Sequence, residues 1–267
     1  MFLKGRLIEY SQYSPYENMA IDEQMISIYK TTGVPVLRLY SWRPYGISIG
    51  TYQDPSKDLD LKACETAKIP VVRRMTGGGA IFHADELTYS LVCSEADMDC
   101  KDAPVKKTFE TINSFILKTY SKFGFEAYYA KETMPADSRA ERAGFCFSGQ
   151  EEYDVLIKGK KIGGNAQRRD KGLIFQHGSI PLAPFKCGQY FTCPVDESRY
   201  TSLQELLGRP VYAQEAAANL TAAFMETFST ELEPYVLSMD DKREVVKLVT
   251  GKYAHPSWNL EGIKHGR

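Results

Sequence analysis

Apolar residues return every third or fourth position in some stretches of this chain and every second position in others, which lays out an alternation of helices and strands. Ser14-Pro15-Tyr16-Glu17 forms a capping box with proline at the first helical position, and Ile21, Met25 and Ile28 follow at helical spacing, predicting a helix from about Pro15 to Lys30. Val36 to Trp42 and Gly46 to Gly50 alternate on either side of Arg43-Pro44 and read as the two strands of a hairpin. A short helix over Asp58 to Lys68 comes next, then strands over Ile69 to Arg74 and Leu87 to Cys93. Val105, Phe109, Ile112, Phe115, Ile116 and Tyr120 mark one face of the longest helix, Ala103 to Phe123, which Gly124 ends. Lys158-Gly159 and Asp170-Lys171-Gly172 read as turns joining strands over Tyr153 to Ile162 and Leu173 to Ile180. Beyond Thr201 the pattern is helical, clearest over Ala213 to Phe228 and Asp240 to Thr250. Together these predict an α+β fold, a mixed or antiparallel sheet flanked by helices rather than a doubly wound one.

The chain has 267 residues, 43% of them hydrophobic, which suits a single domain over 1–267 with a helical C-terminal part from about residue 200. With 33 basic and 34 acidic residues it has no basic field for nucleic acid. No apolar run reaches the length of a membrane span and the N-terminus lacks a signal-peptide core, so a soluble cytoplasmic protein with no membrane partner is expected. The cysteines at 64, 93, 100, 146, 187 and 193 then read as reduced thiols, and their spacing does not suit zinc; no metal site is expected.

Candidate chemistry concentrates in two segments. The first, from Arg73 to Ser90, holds Thr76, Gly77, Gly78 and Gly79 between two strands, with Arg73, Arg74 and His83 at its rim. Glycines let main-chain N–H groups crowd a carboxylate, phosphate or thioester carbonyl, although a glycine triplet is more often a plain hairpin turn. The second runs from Cys146-Phe147 through Tyr153 and Lys160-Lys161-Ile162-Gly163-Gly164-Asn165-Ala166 to Gln176-His177-Gly178. Neighbouring lysines on a strand face opposite ways, so only one of Lys160 and Lys161 can enter a site.

These two segments, in this order, resemble the lipoate–protein ligase and octanoyltransferase superfamily, which also includes the biotin ligases. The resemblance extends from Asn18-Met-Ala-Ile-Asp-Glu23 to Lys252-Tyr-Ala-His-Pro-Ser-Trp258 and implies attachment of an octanoyl or lipoyl group to one lysine of a small carrier domain. It also implies that the C-terminal accessory domain of the larger ligases has no counterpart here. The Cys146 to Tyr153 spacing is similar to that of the cysteine-dependent octanoyltransferases, which makes Cys146 the candidate nucleophile. Taken without the resemblance, Cys146 reads more readily as a buried thiol. Lys161 matches the lysine that precedes the family's Ile-Gly-Gly/Ser, and is expected to hold the substrate carbonyl; its loss should slow transfer without moving the thermal midpoint. Arg73, Thr76, Gly77, Gly78, Gly79, His83, Gly163, Gly164, Asn165, Ala166 and His177 are the expected substrate-binding residues. His83 is the better candidate for a base, while His83 and His177 both remain open between site donor and structural histidine.

The leading reading takes octanoyl acyl-carrier protein as donor and the lipoyl domains of 2-oxoacid dehydrogenases or the glycine cleavage H protein as acceptors, through a Cys146 thioester and with no cofactor. The alternative is an ATP- and magnesium-dependent ligase that forms a lipoyl adenylate on the glycine loop. Gly79 favours it, because the cysteine-dependent branch carries arginine there. A non-catalytic acyl-binding or carrier-domain-binding module is the third reading, and the Gly-Arg-Gly-Arg type loop of biotin ligases is absent.

Overall fold

The computed structural model describes residues 4–133 and 152–261. Its elements in chain order are β1 (Lys4–Tyr13), α1 (Pro15–Thr32), β2 (Val36–Trp42), β3 (Gly46–Ile49), α2 (Pro55–Asp58), α3 (Leu61–Thr66), β4 (Val71–Arg73), β5 (Ile81–His83) and β6 (Glu86–Ser94). There follow α4 (Val105–Lys122), β7 (Tyr128–Tyr129), β8 (Val155–Ile157), β9 (Lys160–Asp170), β10 (Leu173–Pro181), α5 (Leu203–Leu207), α6 (Ala213–Phe228), β11 (Glu231–Pro234) and α7 (Met239–Leu248). Among the described residues the strands make an eight-stranded sheet in the order β11-β1-β2-β6-β10-β9-β8-β7 and a three-stranded one in the order β4-β3-β5. The large sheet is mixed, parallel across β11-β1-β2 and antiparallel from β2 onwards. The α+β expectation holds.

The two faces of the large sheet are covered differently. Leu37, Leu39, Leu91 and Cys93 pack with Ile112 and Phe115 of α4 and Leu220 and Phe224 of α6. On the other face, Val36 and Val92 meet Met25 and Ile28 of α1, and Tyr40 and Trp42 meet Met19, Ile21 and Val245. β2 is therefore buried along its whole length. The α1 capping box forms as the sequence predicts: the Glu17 amide donates to Ser14 Oγ at 3.3 Å, and the Ser14 amide to the Glu17 carboxylate at 3.0 Å.

Two sequence expectations are corrected. β2 and β3 do not form a hairpin, because β3 pairs with β4 and β5 instead, and Ile47 and Ile49 fill a separate cluster with Leu59, Cys64 and Phe82. The helix expected over Asp58 to Lys68 is shorter: α2 already ends at Asp58, and α3 spans Leu61–Thr66, its start capped by the Asp60 carboxylate, which accepts from the Ala63 amide at 2.9 Å. β1 carries too irregular an alternation to be read from sequence, and it is held from both sides by β2 and β11.

Candidate active site

The glycine loop leaves the small sheet at β4 and returns at β5, over the middle of β6, β9 and β10. Two adjacent arginines organise it from inside. Arg73 is 1% exposed and donates to the carbonyls of Gly50, Thr51, Gln53, Trp258 and Asn259. Burial lowers its pKa, with Asp54 pulling the other way, and it ties β4 to the C-terminal segment rather than facing the pocket. Sequence reading places Arg73 among the substrate-binding residues, and the structure sets it outside the pocket lining; its donors serve main-chain carbonyls that the fold would otherwise bury unpaired. Arg74 turns the other way, giving hydrogen bonds to the carbonyls of Gly77 and Gly79, both 2.7 Å, and to Ser48. Gly78 has φ +92°, and a Cβ there would stand 2.9 Å from the Arg74 guanidinium. Glycine is the residue that tolerates both conditions.

The pocket at this loop is lined by Trp42, Ser48, Arg74, Gly78, Ile81, His83 and Thr88 together with Asp154, Gly164, Asn165, Ala166, His177, Gly178 and Ser179. His83 stacks on Trp42 with ring centroids 3.7 Å apart and planes at 9°. Its Nε2 is 2.7 Å from Ser48 Oγ and its Nδ1 2.7 Å from the Glu86 carboxylate. Glu86 also accepts from Thr88 and Ser179. Burial alone would raise the Glu86 pKa, but His83 and the two hydroxyls outweigh it and hold the carboxyl below its ordinary value.

His177 reaches the pocket from β10. Its Nε2 is 2.7 Å from Thr76 Oγ1, which anchors the start of the glycine loop, and its Nδ1 is 3.8 Å from the Asp22 carboxylate. Burial lowers the His177 pKa against the pull of Asp22, with Arg74 and His83 adding to the fall, so the ring is neutral at pH 7. Asp22 is itself held below its ordinary value: burial opposes its charge, yet the His177 hydrogen bond and the Arg38 guanidinium at 2.7 Å prevail.

Asn165 lies across Gly178, where a Cβ would come 2.1 Å from Asn165 Oδ1. Gln176 Nε2 donates to Tyr89 Oη at 2.8 Å, which directs the Tyr89 proton to Asn165 Oδ1 at 2.7 Å. The Asn165 amide is thereby oriented, and its Nδ2 is buried with no acceptor among the described residues. A buried donor without a partner is costly, and a ligand oxygen would remove that cost. Lys161 is 3% exposed and pairs with Asp154, its Nζ 2.7 Å from the carboxylate that lines the pocket, while Lys160 points to solvent as strand alternation requires.

Of the residues expected from sequence, Gly78, His83, Gly164, Asn165, Ala166 and His177 line one pocket. Thr76 joins it through His177, Gly77 and Gly79 through Arg74, and Lys161 through Asp154. Gly163 packs against the Ser179 carbonyl, where a Cβ would be 2.9 Å away. Cys146 lies outside the described residues. Sequence reading missed Ser48, Trp42, Glu86, Asp154 and the Asp22–Arg38 pair. The His83-x-x-Glu86 spacing was the one available signal, because alternation on a strand offers no hint of which distant strand supplies a partner.

The lipoyl protein ligase A/B catalytic domain model matches residues 14–225. Octanoyltransferase LipM of an Exiguobacterium strain is 35% identical, the alignment covering 94% of this chain and 96% of the relative. LipM of Bacillus subtilis is 32% identical over 96% of this chain and 98% of its own. A crystal structure of lipoate-protein ligase A bound with ATP superposes with a TM-score of 0.81 at 22% identity, over 98% of this chain and 100% of that one. The glycine loop, the sheet-floored pocket and these matches along most of the chain give one conclusion: this chain belongs to the lipoyl protein ligase A/B catalytic domain family.

Proposed function

We propose that the chain is an octanoyltransferase of protein lipoylation, moving an octanoyl group onto the ε-amine of a lysine on a lipoyl domain. The observation that carries this reading is the near full-length likeness to octanoyltransferases, at 31–35% identity in each relative compared. The pocket agrees with it. Gly164, Ala166 and Gly178 give a floor of small residues, and burying an eight-carbon chain against such a surface contributes on the order of 5 kcal/mol at about 0.8 kcal/mol per methylene. The oriented Asn165 Nδ2 offers a donor to an uncharged acyl carbonyl.

The donor in this reading is octanoyl acyl-carrier protein and the nucleophile is Cys146, whose thiolate takes the acyl group as a thioester before the lysine amine removes it. Thioester exchange is close to thermoneutral, so neither nucleotide nor metal is required. Three of the other cysteines fit the role poorly. Burial pushes the Cys64 thiol to about 11 and the Cys187 thiol to about 12, and raises that of Cys93, so all three are protonated at pH 7. Lys161 supports the carbonyl oxygen from beside Asp154. No helix among the described residues is long and apolar enough to cross a membrane, in keeping with a protein that meets carrier domains in solution.

The test is intact mass after mixing the protein with octanoyl carrier protein alone. The expected result is an octanoyl adduct without ATP, lost in Cys146→Ser, because serine without a matched base is a far weaker nucleophile. Full activity of Cys146→Ser with lipoate, ATP and magnesium would establish the ligase instead.

A further inference from the structure

An amine attacks a thioester only as the free base, yet a lysine ε-ammonium has a pKa near 10.4, so well under about 0.1% is free at pH 7. A positioned proton acceptor therefore decides the rate of the second step, typically by about 10²- to 10⁴-fold. Ser48, His83 and Glu86 have the geometry of one. They come from β3, β5 and β6, and are 1%, 3% and 4% exposed. Glu86 is ionised and can only accept, so His83 Nδ1 carries the proton that lies on it, and in the neutral form of the ring Nε2 presents a lone pair. In that form the Ser48 hydroxyl, 2.7 Å away, donates to the lone pair, while Arg74 Nη1 donates to Ser48 Oγ at 3.2 Å. This leaves Ser48 Oγ as an acceptor at the pocket wall with its own proton already directed at His83. Trp42 stacked beneath the imidazole stabilises it when it becomes a cation.

We infer that Ser48, His83 and Glu86 form the proton relay that deprotonates the acceptor lysine; this rests on the transferase reading above. The ε-ammonium gives a proton to Ser48 Oγ as the Ser48 proton moves to His83 Nε2, leaving an imidazolium between the Glu86 carboxylate and the Trp42 ring. The freed amine forms the C–N bond at the thioester carbonyl carbon. The C–S bond then breaks with its electron pair on sulfur, and the second amine proton passes to that thiolate. His83 later releases its proton to water. Other charged or titratable groups facing the relay are Arg74 after β4, His177 on β10, which is neutral, and the Asp154–Lys161 pair at β8 and β9, which is close to charge-balanced. The carboxylate beside His83 is thus Glu86, and removing it raises the cost of the imidazolium directly. Ser48 and His83 act on the substrate proton, whereas Glu86 is a positioning residue.

The experiment separates the two half-reactions. Wild type, Ser48→Ala and Glu86→Gln are each loaded to completion with octanoyl carrier protein, the adduct is confirmed by intact mass, and single-turnover transfer to a lipoyl domain is followed from pH 6 to 10. Both variants should transfer about 100-fold more slowly at pH 7, and the gap should close toward pH 10 as the free amine rises tenfold per unit. If Glu86→Gln fails to fold, Ser48→Ala, which removes a single oxygen, carries the test. Equal rates at pH 7 would overturn the relay, as would a deficit of the same factor at every pH, which is what a structural role gives. Variants that fail to load where wild type loads would place the three residues in the first step and overturn it too. A wild type that takes no adduct sinks the transferase reading itself.

Discussion

Replacing Lys161 by alanine perturbs two properties that the structure lets one separate. Lys161 Nζ lies 2.7 Å from the Asp154 carboxylate, with side chains 4% and 6% exposed, so truncation strips a buried carboxylate of its cation. Breaking such a pair from one side costs about 3–5 kcal/mol, and at about 2–4 °C per kcal/mol for a domain near this size the melting temperature should fall by roughly 6–20 °C. This replaces the sequence-based expectation of an unmoved midpoint, because burial makes the lysine part of the fold as well as of the site. Lys161→Met combined with Asp154→Asn removes both charges at similar volume and should recover at least half of the loss, since a buried pair contributes little net stability over neutral groups. Transfer should remain roughly 10- to 1,000-fold down in both, the usual loss for one electrostatic contact to a carbonyl oxygen. Lys160→Ala should change neither property by more than about 0.5 kcal/mol. Calorimetric melts alongside single-turnover transfer provide the check. A Lys161→Ala melt within a degree or two of wild type would refute the buried pair, and full transfer by the double variant would refute contact with the acyl carbonyl.

Three other outcomes follow from the geometry. Arg73→Ala should lower stability by about 3 kcal/mol or more by orphaning buried carbonyls, while folded protein at low temperature keeps its KM for the donor; a selective rise in KM would return Arg73 to the binding site. Gly178→Ala forces a Cβ to 2.1 Å from Asn165 Oδ1 and 2.6 Å from the Tyr89 ring, so it should cost about 1–3 kcal/mol and slow transfer, whereas wild-type kinetics would show that Asn165 does not bind substrate. His177 has a lower pKa folded than unfolded, so below about pH 6.5 the unfolded chain takes up the proton first and stability falls with pH, by at most about 1.4 kcal/mol per unit. Melts from pH 7.5 to 5 should show that slope in wild type and a flatter one in His177→Gln, and coincident slopes would remove His177 as the cause.

Local chemistry fixed much of this protein in the sequence alone. The Ser14 to Glu17 capping box, the apolar stripe of α4 and the turns at Lys158-Gly159 and Asp170-Lys171-Gly172 each depend on residues a few positions apart, and each is where periodicity predicts it. The glycine loop and the segment from Lys161 to His177 were legible as a site for the same reason, since their composition departs from what a sheet alone needs. Tertiary structure decided the rest. Arg73 and Arg74 are neighbours of the same type, yet one is consumed by carbonyls of the C-terminal segment and the other by the glycine loop and Ser48. Ser48 looked like an ordinary strand serine until β3 left β2 to pair with β5 and brought it to His83. Asn165 acquired its fixed orientation from Tyr89 on β6, a strand it meets only after folding, whereas Lys161 met Asp154 across the β8–β9 hairpin. The direction of a long polar side chain is set by which buried partner satisfies it, and that partner is defined by strand order and register rather than by nearby sequence.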